Sequence, residues 1–175
     1  MKKLLFSLLI STILLSCSND DNNEITLPEE LNFNGEVLSC ADFSVKQFLE
    51  PENFEISLNI HGQGREELEL SSEYKTFSLP NNDLYSTITI FDASIRSSFC
   101  NDVVIDDGPN LISSWNAISG TIKLSVSDIE ITEFETFYSL DILLEDVIFE
   151  KANSNEQRKI SRLTIENAGL GFFPG

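Results

Sequence analysis

The sequence predicts an all-β fold, a single antiparallel β-sandwich of roughly eight to ten strands. After residue 31, apolar side chains recur at every second position through most of the chain, which is the pattern of strands that bury one face. Clusters of Gly, Pro, Asn and Asp separate these stretches at short intervals, as turns do. No long segment carries a helical period, although residues 42–49 could form a turn or two of helix.

Four stretches show the alternation over enough residues to define their two faces. In residues 54–61 the aromatic and aliphatic side chains alternate with Glu, Ser, Asn and His, so we expect the polar set to face water. The same pattern begins at Leu84, Ile118 and Tyr138. Shorter candidate strands cover residues 33–37, 43–48, 68–70, 74–79, 99–105 and 160–165.

The alternation breaks at two places. Apolar side chains occupy even positions up to Val126 and odd positions from Ile129 onwards, and the same change occurs between Leu144 and Val147. A strand that continued without a slip would send its second apolar pair to the wet face. The sequence therefore predicts a β-bulge near residues 127–128 and another near residues 145–146. The first break could equally be a hairpin turn.

The charge balance limits the partners. The chain carries 29 acidic against 11 basic residues, a formal net charge of −18. Binding to nucleic acid requires clustered Lys and Arg side chains on the phosphates, so we expect no nucleic-acid partner. Anionic lipid headgroups are disfavoured for the same reason. If the protein is attached to a membrane, we expect the attachment to be a lipid and not the protein surface.

The first residues have the layout of a secretory signal. Lys2 and Lys3 precede an apolar segment, residues 4–15, and Ser16 stands before Cys17. The apolar segment is too short to span a bilayer, which takes about 20 residues. Residues 17–30 are mostly Asn, Asp, Glu and Ser, the composition of a disordered tether. We therefore expect the rest of the chain to lie outside the cytoplasm.

The run Leu14-Leu15-Ser16-Cys17 resembles the lipobox of bacterial lipoproteins. The resemblance implies that the signal is cut before Cys17 and that this cysteine carries the lipid anchor. The acidic run at residues 18–23 is similar to the export tag of Bacteroidota surface lipoproteins, which implies display on the exterior of the outer membrane. The alternatives are an ordinary signal peptide with a chance cysteine and a plain solvated tether.

Three segments follow from this assignment. Residues 1–16 are the expected lipoprotein signal peptide, residues 17–30 the lipidated acidic linker, and residues 31–175 the β-sandwich domain. Once Cys17 is lipidated, Cys40 and Cys100 remain, and an oxidising compartment favours a disulfide between them. The alternative is two buried free thiols. A zinc site is disfavoured because it needs about four ligands and the chain has one histidine.

Catalytic signals are weak. His61 is the sole imidazole, at the predicted end of a strand and outside any diagnostic motif, so we expect a solvent-facing side chain. The densest acidic cluster within a strand region, which could supply the paired carboxylates of a glycosidase, is typical of a solvated face. Its members are Asp128, Glu130, Glu133 and Glu135.

Three further groups could form a site. A calcium ion could bind Asn101, Asp102, Asp106 and Asp107 at the Gly108-Pro109 turn, although such residues also form turns unaided. Trp115 could fill the core or present a stacking surface to a glycan or protein ligand. Phe172 and Phe173 could cover an open sheet edge or form an apolar patch for a partner.

These observations favour a cell-envelope lipoprotein of the outer membrane, displayed on the cell surface as a non-catalytic binding or structural module without a cofactor. Its ligand, a glycan or a protein, cannot be named from the sequence. The alternatives are a carboxylate-dependent envelope enzyme that acts on glycans and an accessory subunit of an outer-membrane complex. An enzyme would require two carboxylates across a cleft, whereas a binding module would present an exposed aromatic or loop platform.

Overall fold

The computed structural model describes residues 25–41, 43–49, 54–100, 108–132 and 136–171. They form an all-β fold in which every strand pairing is antiparallel, as the sequence predicts. The hydrogen-bonded order is β1-β2-β3-β5-β6-β7-β8, and β4 pairs with β6 beyond the end of β5. The strands are β1 (Val37–Cys40), β2 (Ser44–Leu49), β3 (Glu55–Gly62), β4 (Lys75–Ser78), β5 (Leu84–Phe91), β6 (Leu111–Ile131), β7 (Thr136–Lys151) and β8 (Gln157–Gly171), with one 3-10 turn at Arg96–Ser98.

The sheet curls until its first and last strands meet. Ser39 Oγ on β1 donates a hydrogen bond to the Gly169 carbonyl on β8, and the Gly171 N–H donates to the Ala41 carbonyl at 3.3 Å. The concave face thus encloses one apolar core between the two halves of the sheet, so a single curled sheet forms the sandwich that the alternation predicts. The largest side chains buried in this core are Phe33, Leu58, Ile60, Leu84, Ile88, Ile90, Trp115, Ile122, Leu124, Leu140 and Phe149.

Several predicted strand bounds are wrong. Residues 33–36 are not a strand, since β1 begins only at Val37, although Phe33 is buried in the core. Residues 68–70 form a turn, in which Leu68 N–H donates to the Gly64 carbonyl at 3.1 Å. Both runs place apolar side chains, Phe33, Leu68 and Leu70, in the core. The backbone of the first run still contacts β2, since Gly35 N–H donates to the Phe48 carbonyl at 2.8 Å and Phe48 N–H donates to the Glu36 carbonyl at 3.0 Å. Residues 44–49 form β2, so the helical alternative there is excluded.

Both predicted bulges are present. The β6–β7 register shifts between Ser127 and Glu130, where Asp128 has a φ of 48°, so the first break is a bulge within β6 and not a hairpin turn. The second shift lies opposite Gly120, and there Asp146 has a φ of 50°. A bulge at Asn167 on β8, with a φ of 56°, is not predicted, and neither are the register shifts at Ala117–Ser119 and at Ile90–Phe91. These residue types tolerate the left-handed backbone of a bulge better than most.

The folded part begins earlier than expected. Residues 25–30 were assigned to the disordered linker from their composition, but Leu27 is 3% exposed and packs into the core. The backbone there bonds to Lys159 at the free edge of β8: Lys159 N–H donates to Glu29 O and Leu31 N–H to Lys159 O, both at 2.8 Å. A polar composition does not reveal this pairing, because it depends on an edge more than a hundred residues away.

The signal peptide, Cys17 and the remainder of the predicted linker lie outside the described residues. Within the residues that the structure describes, no helix is long and apolar enough to cross a membrane.

Gly120 is required by the second bulge. Its φ is +109°, and a Cβ atom there would lie 2.5 Å from Val147 Cα and 2.7 Å from the Asp146 carbonyl oxygen. We expect Gly120→Ala to lower the free energy of unfolding by about 2–4 kcal/mol through strain and a backbone clash. Urea unfolding measures the loss. The matched control is Gly169→Ala, whose added Cβ would meet nothing within 4 Å and should change stability by less than about 1 kcal/mol. Equal effects of the two substitutions would contradict this account.

Candidate functional site

The convex face of the sheet carries an ordered polar layer. Side chains from β2, β3 and β5 lie opposite one another in three rows set by the antiparallel register. We call this surface the outer polar face. Its rows are Ser44–His61–Tyr85, Lys46–Asn59–Thr87 and Phe48–Ser57–Thr89.

Part of this face is covered, contrary to the expectation that the polar residues of β3 face water. Glu55, Ser57 and Asn59 are 6%, 0% and 1% exposed. The segment that follows β5 crosses over them, and the Glu55 carboxylate accepts hydrogen bonds from Ser94 Oγ and Ile95 N–H, both at 2.8 Å. Arg96 Nε donates to the same carboxylate at 2.9 Å. Glu55 is thus the buried anion that holds the covering segment to the sheet.

Two further contacts fasten the covering segment, residues 92–100. The Arg96 guanidinium lies 4.4 Å from the ring centroid of Phe48, which is fully buried on this face. Cys40 on β1 and Cys100 at the end of the segment lie at disulfide distance, with their Cα atoms 5.6 Å apart. The predicted cysteine pair therefore connects the covering segment to the edge strand.

Asn59 lies in the middle row of the layer, between the covered Ser57 and the open end at His61. Its Nδ2 donates to Thr89 Oγ1 at 2.9 Å and to the Ser57 carbonyl at 3.2 Å, which fixes the amide orientation. Its Oδ1 accepts a hydrogen bond from Lys46 Nζ at 2.5 Å. The Lys46 ammonium also lies 5.2 Å from the ring centroid of Phe99. Among the described residues, no carboxylate lies within ion-pairing distance of this ammonium.

His61 lies at the open end of the layer. Its Nδ1 is 3.0 Å from Ser44 Oγ, and its ring stacks on Tyr85 with the centroids 5.2 Å apart. Tyr85 is 52% exposed, whereas His61 is partly buried and not fully solvent-facing as the sequence suggested. Burial lowers the pKa of His61, and the nearby Lys46 charge lowers it further, so the imidazole is neutral at neutral pH. Burial also lowers the pKa of Lys46, an effect that Glu55 partly offsets.

The Ser44–His61 pair lacks a feature of nucleophilic sites. In those sites a third group, usually a carboxylate, orients the imidazole and stabilises its charged form. The contacts that the structure gives His61 are Ser44 and Tyr85, and neither can stabilise an imidazolium as a carboxylate would. Because Lys46 further disfavours protonation, the arrangement suits a neutral hydrogen-bonding imidazole better than a general base.

The other sequence candidates lie elsewhere. Trp115 is fully buried, in agreement with the core-filling interpretation, and its Nε1 has no hydrogen-bond partner. Asp128 and Glu130 are exposed at the end of β6, beside Ile129 and Ile131, which are 44% and 73% exposed. The remaining acidic and aromatic candidates lie outside the described residues; they are Asn101, Asp102, Asp106, Asp107, Glu133, Glu135, Phe172 and Phe173.

The predicted calcium turn is described only at its end, where Gly108 and Pro109 are irregular backbone. Over the described ranges, no group of three or more His, Cys, Asp or Glu side chains is placed to hold a metal ion.

A surface depression, distinct from the outer polar face, lies at the bulge opposite Gly120. This open depression of about 640 Å³ is lined by Gly120, Thr121, Glu145, Asp146, Ser161 and Arg162. Its carboxylates are already paired: Glu145 contacts Lys123 at 2.5 Å and Arg162 at 3.0 Å, and Asp146 contacts Lys159 at 2.7 Å. The charges of the depression therefore neutralise one another, whereas the Lys46 charge on the outer polar face has no carboxylate partner in the part of the chain that the structure describes.

Comparison with known proteins gives no relative: no family model, no curated protein and no solved structure matches the chain.

The lowered pKa of His61 can be measured directly because the chain has one histidine. We expect its imidazole proton signals, followed by NMR in a protein without a histidine tag, to titrate with a midpoint below the ordinary 6.5. Lys46→Met should raise the midpoint, because it removes a repelling charge. Lys75→Met removes a lysine that pairs with Glu69 at 3.0 Å and should leave the midpoint unchanged.

The same shift fixes the sign of a stability effect. Since the folded pKa lies below the unfolded one, the unfolded state takes up the proton first as the pH falls. The contribution of neutral His61 to stability is therefore complete above about pH 6.5 and declines as the pH falls below that value. A midpoint at or above 6.5 would refute both expectations.

The cysteine pair makes a separate prediction. In the exported Cys17→Ala chain, only Cys40 and Cys100 carry sulfur that could titrate as thiol. Thiol titration of the denatured, unreduced protein should find no free thiol, and reduction should release two. Closing a loop of 60 residues contributes about 4 kcal/mol on the chain-entropy treatment, so the reduced protein should unfold at a lower urea concentration. Two free thiols before reduction would show that the bridge does not form.

Proposed function

We propose that this protein is a lipoprotein of the bacterial outer membrane, anchored through Cys17 and displayed on the cell surface, and that its β-domain binds a ligand without transforming it. The leader and the acidic run after Cys17 support the location. The observation that carries the binding role is the exposed Tyr85 ring, stacked on His61 beside Lys46 on the outer polar face. This is the exposed aromatic platform that distinguishes a binding module from a carboxylate enzyme.

The rigidity of this platform supports the same role. Asn59 is fixed by hydrogen bonds to β3 and β5, and the covering segment is fastened by Glu55 and by the Cys40–Cys100 pair. A surface whose side chains are already ordered loses little conformational entropy when a ligand arrives. The outer polar face therefore has the preorganisation that binding requires. Among the described residues, no carboxylate orients His61 as catalysis by a Ser-His pair would need.

The anchor would hold the domain close to the membrane. The described fold begins at Ile25, so a tether between the anchor and the fold would consist of residues 18–24. As a flexible coil they would reach roughly 15 Å. Such a short tether suits a module that captures its ligand near the membrane surface.

A second candidate function is an accessory subunit of an outer-membrane complex. It is favoured by Ile129 and Ile131, which are exposed together at the end of the longest strand. Isolated apolar side chains are common on protein surfaces, so this pair weighs less than the ordered outer polar face.

The location can be tested in intact cells that express the wild-type chain or Cys17→Ala. We expect the wild-type protein in the membrane fraction and accessible to added protease, while a periplasmic marker survives. Cys17→Ala should leave the membrane fraction because it removes the acylated sulfur. Asn22→Ala, an equally small change within the tether, is the control and should remain anchored.

Two outcomes would contradict the proposal. Retention of Cys17→Ala in the membrane with unchanged signal processing would refute lipid anchoring. Protection of the wild-type domain from protease would place it in the periplasm and refute surface display. Co-purification of the wild-type protein with an outer-membrane complex, lost in Ile131→Thr and kept in Tyr85→Ala, would favour the accessory-subunit function instead.

A further inference from the structure

We propose that the outer polar face binds the carboxylate of a saccharide that contains a single uronic acid residue, with Lys46 as the counter-ion and the Tyr85–His61 pair as the stacking surface for the sugar. The inference rests on the proposed binding function, because it names the ligand class of the same face.

The first step is the state of the Lys46 charge. In a chain of net charge −18, other lysines of the sheet are paired: Lys123 contacts Glu145 at 2.5 Å, and Lys159 contacts Asp146 at 2.7 Å. Lys46 is partly buried and contacts the neutral Asn59 and the Phe99 ring instead. Among the described residues no carboxylate contacts the Lys46 ammonium, and a partly buried charge without a counter-ion is destabilising. An anionic ligand would supply the missing counter-ion.

The second step is that Glu55, the carboxylate whose field acts on Lys46, does not serve as its counter-ion. Glu55 acts on Lys46 through its field, but its carboxylate is bound by Arg96 Nε at 2.9 Å and by Ser94 and Ile95. Asn59 positions the Lys46 ammonium without neutralising its charge. It accepts a hydrogen bond from one of the three N–H groups of that ammonium. Donors of Lys46 therefore remain for a ligand.

The third step is a second donor beside the ammonium. Ser44 Oγ lies 3.0 Å from Nδ1 of His61, and when this hydroxyl donates, the imidazole proton sits on Nε2. His61 and Asn59 lie on the same face of β3, two residues apart, which separates them by about 7 Å. A ligand that spans about 7 Å could therefore place its carboxylate on Lys46 and its ring on His61 and Tyr85.

The fourth step selects the ligand. One ammonium matches the single charge of a carboxylate, whereas phosphate and sulfate are usually held by Arg forks or several backbone N–H groups. An exposed aromatic ring, 52% accessible at Tyr85, offers the apolar stacking surface that the C–H face of a pyranose can cover. The strongly negative protein field disfavours ligands with several carboxylates, such as acidic peptide runs. A single uronic acid in an otherwise neutral saccharide meets all three conditions.

The test is calorimetric titration of the full chain, purified in detergent. The probes are a disaccharide that carries one glucuronic acid, its methyl ester, and a blocked tripeptide that carries one glutamate. We expect the free acid to bind roughly 10- to 100-fold more tightly than the ester, the range of one charged hydrogen bond. The tripeptide should bind more weakly than the disaccharide, because it offers no pyranose face to Tyr85.

Variants assign the effect to residues. Lys46→Met should reduce affinity for the acid to that for the ester, and Tyr85→Ala should weaken both probes. Asn59→Asp should also abolish the preference, since it places a carboxylate on the Lys46 ammonium. Lys75→Met changes the net charge equally, removes the lysine paired with Glu69, and should bind as the wild type does.

Each other outcome overturns the inference. Equal affinity for acid and ester, a preference that survives Lys46→Met, tighter binding of the tripeptide, or no binding of the disaccharide would each do so. Lys46→Met decides the matter if Asn59→Asp fails to fold. The proposed function is tested separately, because membrane retention of Cys17→Ala or protection of the domain from protease would refute it. Equal binding of the acid and the ester that depends on Tyr85 would therefore overturn the uronic acid inference and leave the proposed function intact.

Discussion

The fold depends on how one sheet encloses its own apolar face. A straight strand of 21 residues, the length of β6, would extend about 70 Å, far beyond the core of a domain of this size. Bulges at Asp128, Asp146 and Asn167 interrupt the register in the three long C-terminal strands. A bulge bends a strand and increases its twist, so these breaks allow the sheet to curl until β1 meets β8. The core then closes without a second sheet.

The covering of the outer face depends in turn on one buried anion. Glu55 accepts hydrogen bonds from the Ser94 hydroxyl, the Ile95 backbone N–H and the Arg96 guanidinium. A carboxylate at 6% exposure is tolerable only when its oxygens are so occupied. The same segment ends at Cys100, next to Cys40 on β1. Half of the outer face is thereby sealed, and the half that carries His61 and Tyr85 stays open.

The alternation of apolar and polar residues correctly predicted the features that depend on local sequence, which are the two bulges and the core face of β3. The change of apolar parity located two bulges, and the same signal between Ile165 and Ala168 would have located the bulge at Asn167. The alternation also identified the core face of β3, because residues 56, 58 and 60 are all buried there. The strand predictions at 33–37 and 68–70 were inaccurate. Apolar residues at every second position do not distinguish a strand from an irregular segment that places side chains in the core.

Contacts between residues that are far apart in the sequence could not be predicted from the local alternation. The alternation indicated a wet face at Glu55, Ser57 and Asn59, but what covers them comes from beyond β5. Lys46 carried no signal at all, because its opposition to Asn59 exists only once the β2–β3 register is known. His61 drew attention as the sole imidazole, yet its role follows from neighbours that the sequence places far apart, Ser44 and Tyr85.

A strongly acidic protein can still offer a site for an acidic sugar, because the two effects act over different distances. At physiological salt the charges of the surface are screened beyond about 8 Å, so most of the net −18 reaches a bound ligand only weakly. Within that distance the local balance decides, and it is set by an ammonium that burial has partly removed from water. Partial burial strengthens the field of Lys46 toward a contacting anion, because less water screens it. The acidity of the whole surface opposes the approach of polyanions, while the outer polar face favours one carboxylate at contact.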